Sequence, residues 1–237
     1  FTGNRVTYII SRVTGGEPSG IDGILRSEIP GANLYFLNPA GVAFGPDASL
    51  DISGSFHVST ADYLRLGDGG IFSAEVQQDS ILTSAPPEAF GFLSNNPAPI
   101  SFQGKGEISK EEVMAQIYSQ GPEEFLKNNS LQVPDGKMIS VIGGNIEIRD
   151  GLFFIDPGYQ GTPDARILLG NLNAPGGRIN IVSADSAGEA VLTDAGLDVS
   201  SFSKMGAITI SENAKIGTDY FEGDSGDISV HGGDIVI

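Results

Sequence analysis

His57 and His231 are the only histidines in 237 residues, and cysteine is absent. That inventory removes thiolate metal sites, disulfides and a cysteine nucleophile. A zinc site gathers three or four His, Cys or carboxylate ligands, and no HExxH spacing joins these two imidazoles. His57 sits between Phe56 and Val58 on the outward phase of a strand, and His231 precedes Gly232–Gly233 at a corner, so both read as surface residues. Acids are plentiful, which makes chance proximity common and a glycosidase-type pair hard to distinguish from background. The densest acidic stretch, Asp219, Glu222, Asp224 and Asp227, lacks the EF-hand spacing and the nonapeptide repeat of calcium-binding β-rolls, and reads as a solvated loop. The glycines at 67–70 and 143–144 lack the GK[ST] ending of a phosphate loop and read as turns. Asn128-Asn129-Ser130 has the form of a glycosylation sequon. No catalytic constellation, metal site or cofactor site emerges, so the chain reads as non-enzymatic.

Charge narrows the partners further. Thirteen basic residues face 30 acidic ones, a net charge of −17. Proteins that bind nucleic acid do so by neutralising phosphates with Lys and Arg, so nucleic acid is not an expected partner. An anionic membrane surface is not an expected partner on the same ground. No apolar run approaches the roughly 18 residues of a transmembrane helix, so no membrane insertion is expected.

The elements that must position any site are short. Leu34–Leu37, Val42–Phe44, Leu50–Ile52, Ile179–Val182, Ile208–Ile210 and Ile235–Ile237 are short runs enriched in β-branched and aromatic residues and separated by Gly, Asp, Asn and Pro, the pattern of brief strands. A repeat organises them. Ile139–Ile148 (ISVIGGNIEI) and Ile228–Ile237 (ISVHGGDIVI) share I-S-V-x-G-G-x-I-x-I, with a partial third copy at Gly176–Ser183. The full copies start 89 residues apart, close to four repeats of about 22 residues. The fold predicted is all-β, a parallel β-helix in which like residues stack on successive coils; ordinary turns in a β-sandwich are the alternative. Asn145 and Asp234 share one slot, from which a side chain can reach local backbone or the next coil.

Residues 109–126 break the pattern. Ser109 and Glu112 form a capping box, Val113–Ile117 and Met114–Tyr118 fall at i,i+4, and Gly121–Pro122 ends one helix and starts a shorter one. The insertion, carrying Val113, Ile117 and Phe125, is expected to cover apolar surface or to contact a partner. Residues 156–165 read as a loop, and residues 83–99 as an extended Pro-rich run pinned by Phe90 and Phe92. One domain is expected over 1–237: irregular coils at 1–104, a helical insertion at 105–129 and regular coils at 130–237.

The stretch ISRVTGGEPSGIDG at 10–23, ANLYFLNPAGVAFGPDASLDISGSFHVSTAD at 32–62 and GIFSA at 70–74 resembles the filamentous-haemagglutinin-type N-terminal secretion domain of two-partner secretion exoproteins. Asn38-Pro39-Ala40-Gly41-Val42 looks like that family's NPNGI motif, departing at Ala40 and Val42. The likeness continues through LTSAPPEAFGFL, LQVPDGKMISVIGGNIEI, NAPGGRINIVS and GLDVSSFSKMGAITIS, omitting the helical insertion and the 156–166 loop.

The resemblance implies a right-handed parallel β-helix. It also implies a secreted or cell-surface protein that passes through the periplasm and crosses the outer membrane through a β-barrel transporter. That transporter's periplasmic domains bind the N-terminal region while it is extended. The domain would then be the secretion signal and folding nucleus of a longer exoprotein, an adhesin or haemagglutinin-like protein that meets a host or neighbouring-cell surface. A capping strand ahead of Phe1 and further coils beyond Ile237 are expected, and the domain itself is expected to be monomeric. Asn38, Pro39, Ala40, Gly41 and Val42 are the candidate secretion motif, read either as a corner needed for folding or as a recognition element. A β-helical carbohydrate-active or carbohydrate-binding protein is the alternative reading.

Overall fold

The computed structural model describes residues 6–79, 84–156, 165–194, 196–219 and 223–237. β-Branched and aromatic residues alternating with small polar ones make short strands, and the strands wind into coils with three faces. The first face is a six-stranded parallel sheet ordered Tyr8–Arg12, Asn33–Leu37, Phe56–Ser59, Met138–Gly143, Arg178–Ser183 and Asp227–His231. The second repeats this with Ser19–Ile21, Val42–Phe44, Ile100–Gln103, Ile146–Arg149, Ala207–Ile210 and Asp234–Val236. On the third, Ile24–Arg26 ladders onto Ser49–Asp51, while Leu131–Gln132, Leu172–Asn173 and Ile216–Gly217 form a second ladder. The architecture is the predicted parallel β-helix.

Register places like on like. Val42, Ile100, Ile146 and Ile208 form one inward column, and Phe44, Phe102, Ile148 and Ile210 the next. The Phe44 and Phe102 rings stack with centroids 4.8 Å apart. Leu34, Phe56, Ile139 and Ile179 close the core from the first face. Each such side chain contributes about 1.5–3 kcal/mol on burial, so the column is the main cohesive element.

The repeat spacing is corrected by this register. Ile139 pairs with Ile179 and Ile179 with Ile228, so the 89 residues hold two coils of 40 and 49 residues, not four. The partial copy at Gly176–Ser183 is the coil between the two full ones. A 22-residue step does occur earlier, where Leu34 stands against Phe56. Later coils are longer because excursions leave them at the corners.

Two excursions matter for the site. Tyr63–Leu66, Ile71–Ser73, Pro87–Phe92, Gly188–Thr193 and Gly196–Asp198 build an antiparallel sheet with Pro87–Phe92 at its centre. Leu64, Phe90, Phe92 and Ala190 pack on Tyr35, Leu37, Ile142 and Val182 from the outer side of the first face. This cover overturns one expectation: His57 does point outward, yet it is only 3% exposed. His231 is half-buried, with Ser229 Oγ 2.9 Å from its Nε2.

The second excursion is helical: α1 spans Lys110–Gln120 and α2 spans Pro122–Asn129. Ser109 Oγ accepts from the Glu112 N–H at 3.2 Å, and Gly121 takes φ 89° between the helices. Val113 and Phe125 are buried with Leu152 and Phe154 in a satellite core, and Ile117 packs at its margin. Phe153–Asp156 and Ala165–Leu168 pair antiparallel beneath them, and residues 157–164 of the expected loop lie outside the described residues. No helix among the described residues is long and apolar enough to cross a membrane.

Candidate functional site

Asn38–Val42 is the corner that carries the second coil from its first face to its second. Pro39 fixes one φ of the turn. Gly41 N–H donates to Asn38 O at 3.0 Å, closing a β-turn, and Gly41 takes φ 119°, a conformation side chains disfavour. The space there is not the constraint: a Cβ on Gly41 would make ordinary contacts, 3.4 Å from Pro99 O and 3.7 Å from Pro18 Cβ. Val42 turns into the core against Ile100, while Pro39 and Ala40 stay half-buried at the surface.

Asn38 is fully buried, and each of its polar atoms has a partner. Its Oδ1 accepts from the Ala40 N–H at 3.0 Å, the local bond expected from an Asn at this turn position. Its Nδ2 donates to Glu17 O at 2.9 Å and Ser19 Oγ at 2.8 Å in the first coil. Its N–H donates to Ser59 O at 3.0 Å in the third. Ser19 N–H reaches Gly41 O at 3.0 Å, and Val42 N–H reaches Pro99 O at 3.2 Å. One corner is therefore fastened to the coil before it and the coil after it.

Other residues continue this column and were missed in the sequence. Ser59 Oγ donates to Ile142 O at 2.7 Å and accepts from Ala61 N–H at 3.0 Å. Thr60 Oγ1 donates to Ala98 O at 2.9 Å. Ser183 Oγ bridges Gly144 O at 2.8 Å and Ala207 O at 3.1 Å. Their signal is the shared V-S-(T)-A-D of Val58–Asp62 and Val182–Asp185, a hydroxyl at the end of a first-face strand. Asn145 bonds to the next coil, accepting from Ala207 N–H at 3.0 Å.

The groups that could do chemistry are engaged structurally. The His57 ring stacks on Tyr35 and its Nδ1 lies 3.0 Å from Ser140 Oγ; burial pulls its pKa down to about 3. Burial likewise raises the Tyr35 phenol, with Tyr8 adding to it. Tyr63 Oη donates to Glu189 Oε1 at 2.8 Å and is pushed up to about 12, by burial first and by Glu189 second. Arg65 links Glu189 at 3.1 Å and Glu88 at 3.4 Å, tying the covering sheet together. In the acidic stretch, Asp219 pairs with Lys215 at 2.9 Å and Asp227 with Arg178 at 3.2 Å, while Glu222 lies outside the described residues. Asn128, first residue of the sequon, is exposed near the end of α2. Among the described residues, no group of three or more His, Asp or Glu is placed to hold a metal ion.

A family model described as TPS secretion domain matches residues 2–235. Comparison with curated proteins and with solved structures returns no match.

Proposed function

The chain belongs to the TPS secretion domain family, and from that premise we propose that it is the folding-nucleating export signal of a longer exoprotein. Family membership makes it part of a secreted exoprotein carried by a two-partner system to the cell surface or beyond. In our reading the outer-membrane β-barrel transporter binds this N-terminal region through periplasmic domains while the chain is extended. The burial of Asn38 carries this reading. Once three coils have closed, its amide is out of reach. A partner that reads Asn38 must meet it beforehand, and the same side chain then fastens the first coils. Nearest-neighbour contacts let a solenoid grow coil by coil, so folding outside the pore withdraws the chain.

The test is export. The chain is given a signal peptide and expressed with and without its transporter, as wild type and as Asn38→Ala. Wild type is expected in the medium only when the transporter is present. Release without the transporter, or retention despite it, would refute the proposal. Circular dichroism and thermal melts of purified Asn38→Ala then separate lost recognition from lost folding.

We further propose that the exported whole acts as a surface adhesin. The outer side of α1 supports a contact role: Tyr118 is 82% exposed there, whereas Val113, Ile117 and Phe125 turn inward. Tyr118→Ala is expected to reduce attachment to target cells and leave export unchanged; unchanged attachment would count against α1.

A further inference from the structure

A groove of about 250 Å³ opens beside the exposed half of the Asn38 turn, where the coil corner meets the covering sheet. Val13, Pro39, Ala40 and Leu93 give it an apolar lining, and Asp62 and Glu75 add carboxylates. No lysine or arginine lines it among the described residues. The nearby Arg12 is occupied, its Nη1 donating to Asp79 Oδ1 at 2.7 Å and to Ser73 O at 2.5 Å. Leu93 is 64% exposed and Val76, next to Glu75, is 55% exposed.

The exposed leucine is held in place. Leu93 N–H donates to Asp62 Oδ2 at 2.7 Å, and Ala74 N–H donates to Asp62 O at 2.7 Å. The walls come from residues 13, 14, 16, 38–40, 62, 73–75, 78 and 93, so the groove exists only in the folded domain. A preformed apolar notch with a charged rim is the anatomy of a small docking site, in which one anchor supplies the affinity and charges supply the orientation.

We propose that this groove docks a basic polypeptide segment. One aliphatic or aromatic side chain lodges against Leu93, Pro39 and Ala40, and flanking lysines or arginines meet Asp62 and Glu75. A second copy of this chain is a poor occupant, because two bodies of net charge −17 repel. The site shares Asn38, Pro39 and Ala40 with the candidate secretion motif, but it exists only once the domain has folded, whereas the transporter is proposed to read the motif in the extended chain.

The probe is a fluorescent peptide of alternating Lys and Leu, titrated into the purified folded chain, with a Glu-Leu counterpart as control. The Lys-Leu peptide is expected to bind saturably and the Glu-Leu peptide not to bind. Leu93→Glu and Glu75→Lys are each expected to weaken binding about tenfold or more, while Ile24→Glu, exposed on the third face and outside the groove, leaves it unchanged. Hydrogen exchange on the wild type, which needs no variant, is expected to show protection at residues 73–76 and 93 on peptide addition. Equal binding of the acidic peptide, equal loss in Ile24→Glu, protection elsewhere, or no saturable binding would each overturn the proposal.

Discussion

The imidazole of His57 lies flat on the phenol of Tyr35, with ring centroids 4.3 Å apart and planes 15° from parallel. Phe90 of the covering sheet sits 6.3 Å away, and Ser140 Oγ is the polar neighbour of Nδ1. This stack glues the covering sheet to the β-helix, and it tolerates only the neutral ring.

Stability should therefore fall on mild acidification. Above pH of roughly 6.5 the ring is neutral folded and unfolded, and contributes no slope. Below that value the unfolded chain takes a proton that the folded chain refuses until about pH 3. Each pH unit in that window costs up to about 1.4 kcal/mol. The carboxyls of Asp51 (held by Lys127), Asp79 (held by Arg12) and Asp198 (held by Ser200) are lowered, so they add their losses only at more acid pH. Urea melts between pH 5 and 8 should show the slope in wild type and a flat line in His57→Phe.

Asn38→Ala should lower stability by about 2–4 kcal/mol, because three side-chain bonds vanish and Glu17 O and Ser19 Oγ lose their donor. Asn38→Asp keeps the acceptor for Ala40 but removes both donors, and should be nearly as damaging. Denaturant midpoints measure both. A midpoint unchanged in Asn38→Ala would show that the clamp is not stabilising.

Gly177→Ala should cost about 3 kcal/mol through overpacking. A Cβ there would fall 1.8 Å from Lys137 O in the preceding coil, a backbone atom that cannot swing aside. Hydrogen exchange should locate the loosening between Met138–Gly143 and Arg178–Ser183, which ladder directly onto one another.

Phe125→Ala should empty the satellite core at a cost of about 3–5 kcal/mol. The damage should stay local, because Val113, Leu152 and Phe154 form a cluster separate from the solenoid core. Far-UV circular dichroism should lose its small helical component on warming before the strand signal collapses.

Legibility in the sequence followed the range of the interactions. The Asn38 turn and the Ser109 cap were readable because Asn, Pro, Gly and Ser act on their own backbone within a few residues. Glu17, Ser19, Ser59 and Pro99, which complete the Asn38 clamp, were not readable, since their proximity depends on coil length. His57 illustrates the same limit. Two-residue periodicity put its side chain outside the coil, as it is, but could not show that Pro87–Phe92 lies over it. The copies at Ile139 and Ile228 revealed the stacking, yet an 89-residue interval fits two long coils as well as four short ones.

The excursions all leave and rejoin the coils at corners, outside the stacked columns. The column Val42–Ile100–Ile146–Ile208 is continuous even though the intervals along the chain are 58, 46 and 62 residues. Closing a longer flexible loop costs little, about 0.6 kcal/mol for each doubling of length. The corners are thus where this architecture can take insertions: a helix pair or a hairpin can be lengthened or shortened there without shifting the register of the stacked columns. The outer surface can differ there while the stacked scaffold stays the same.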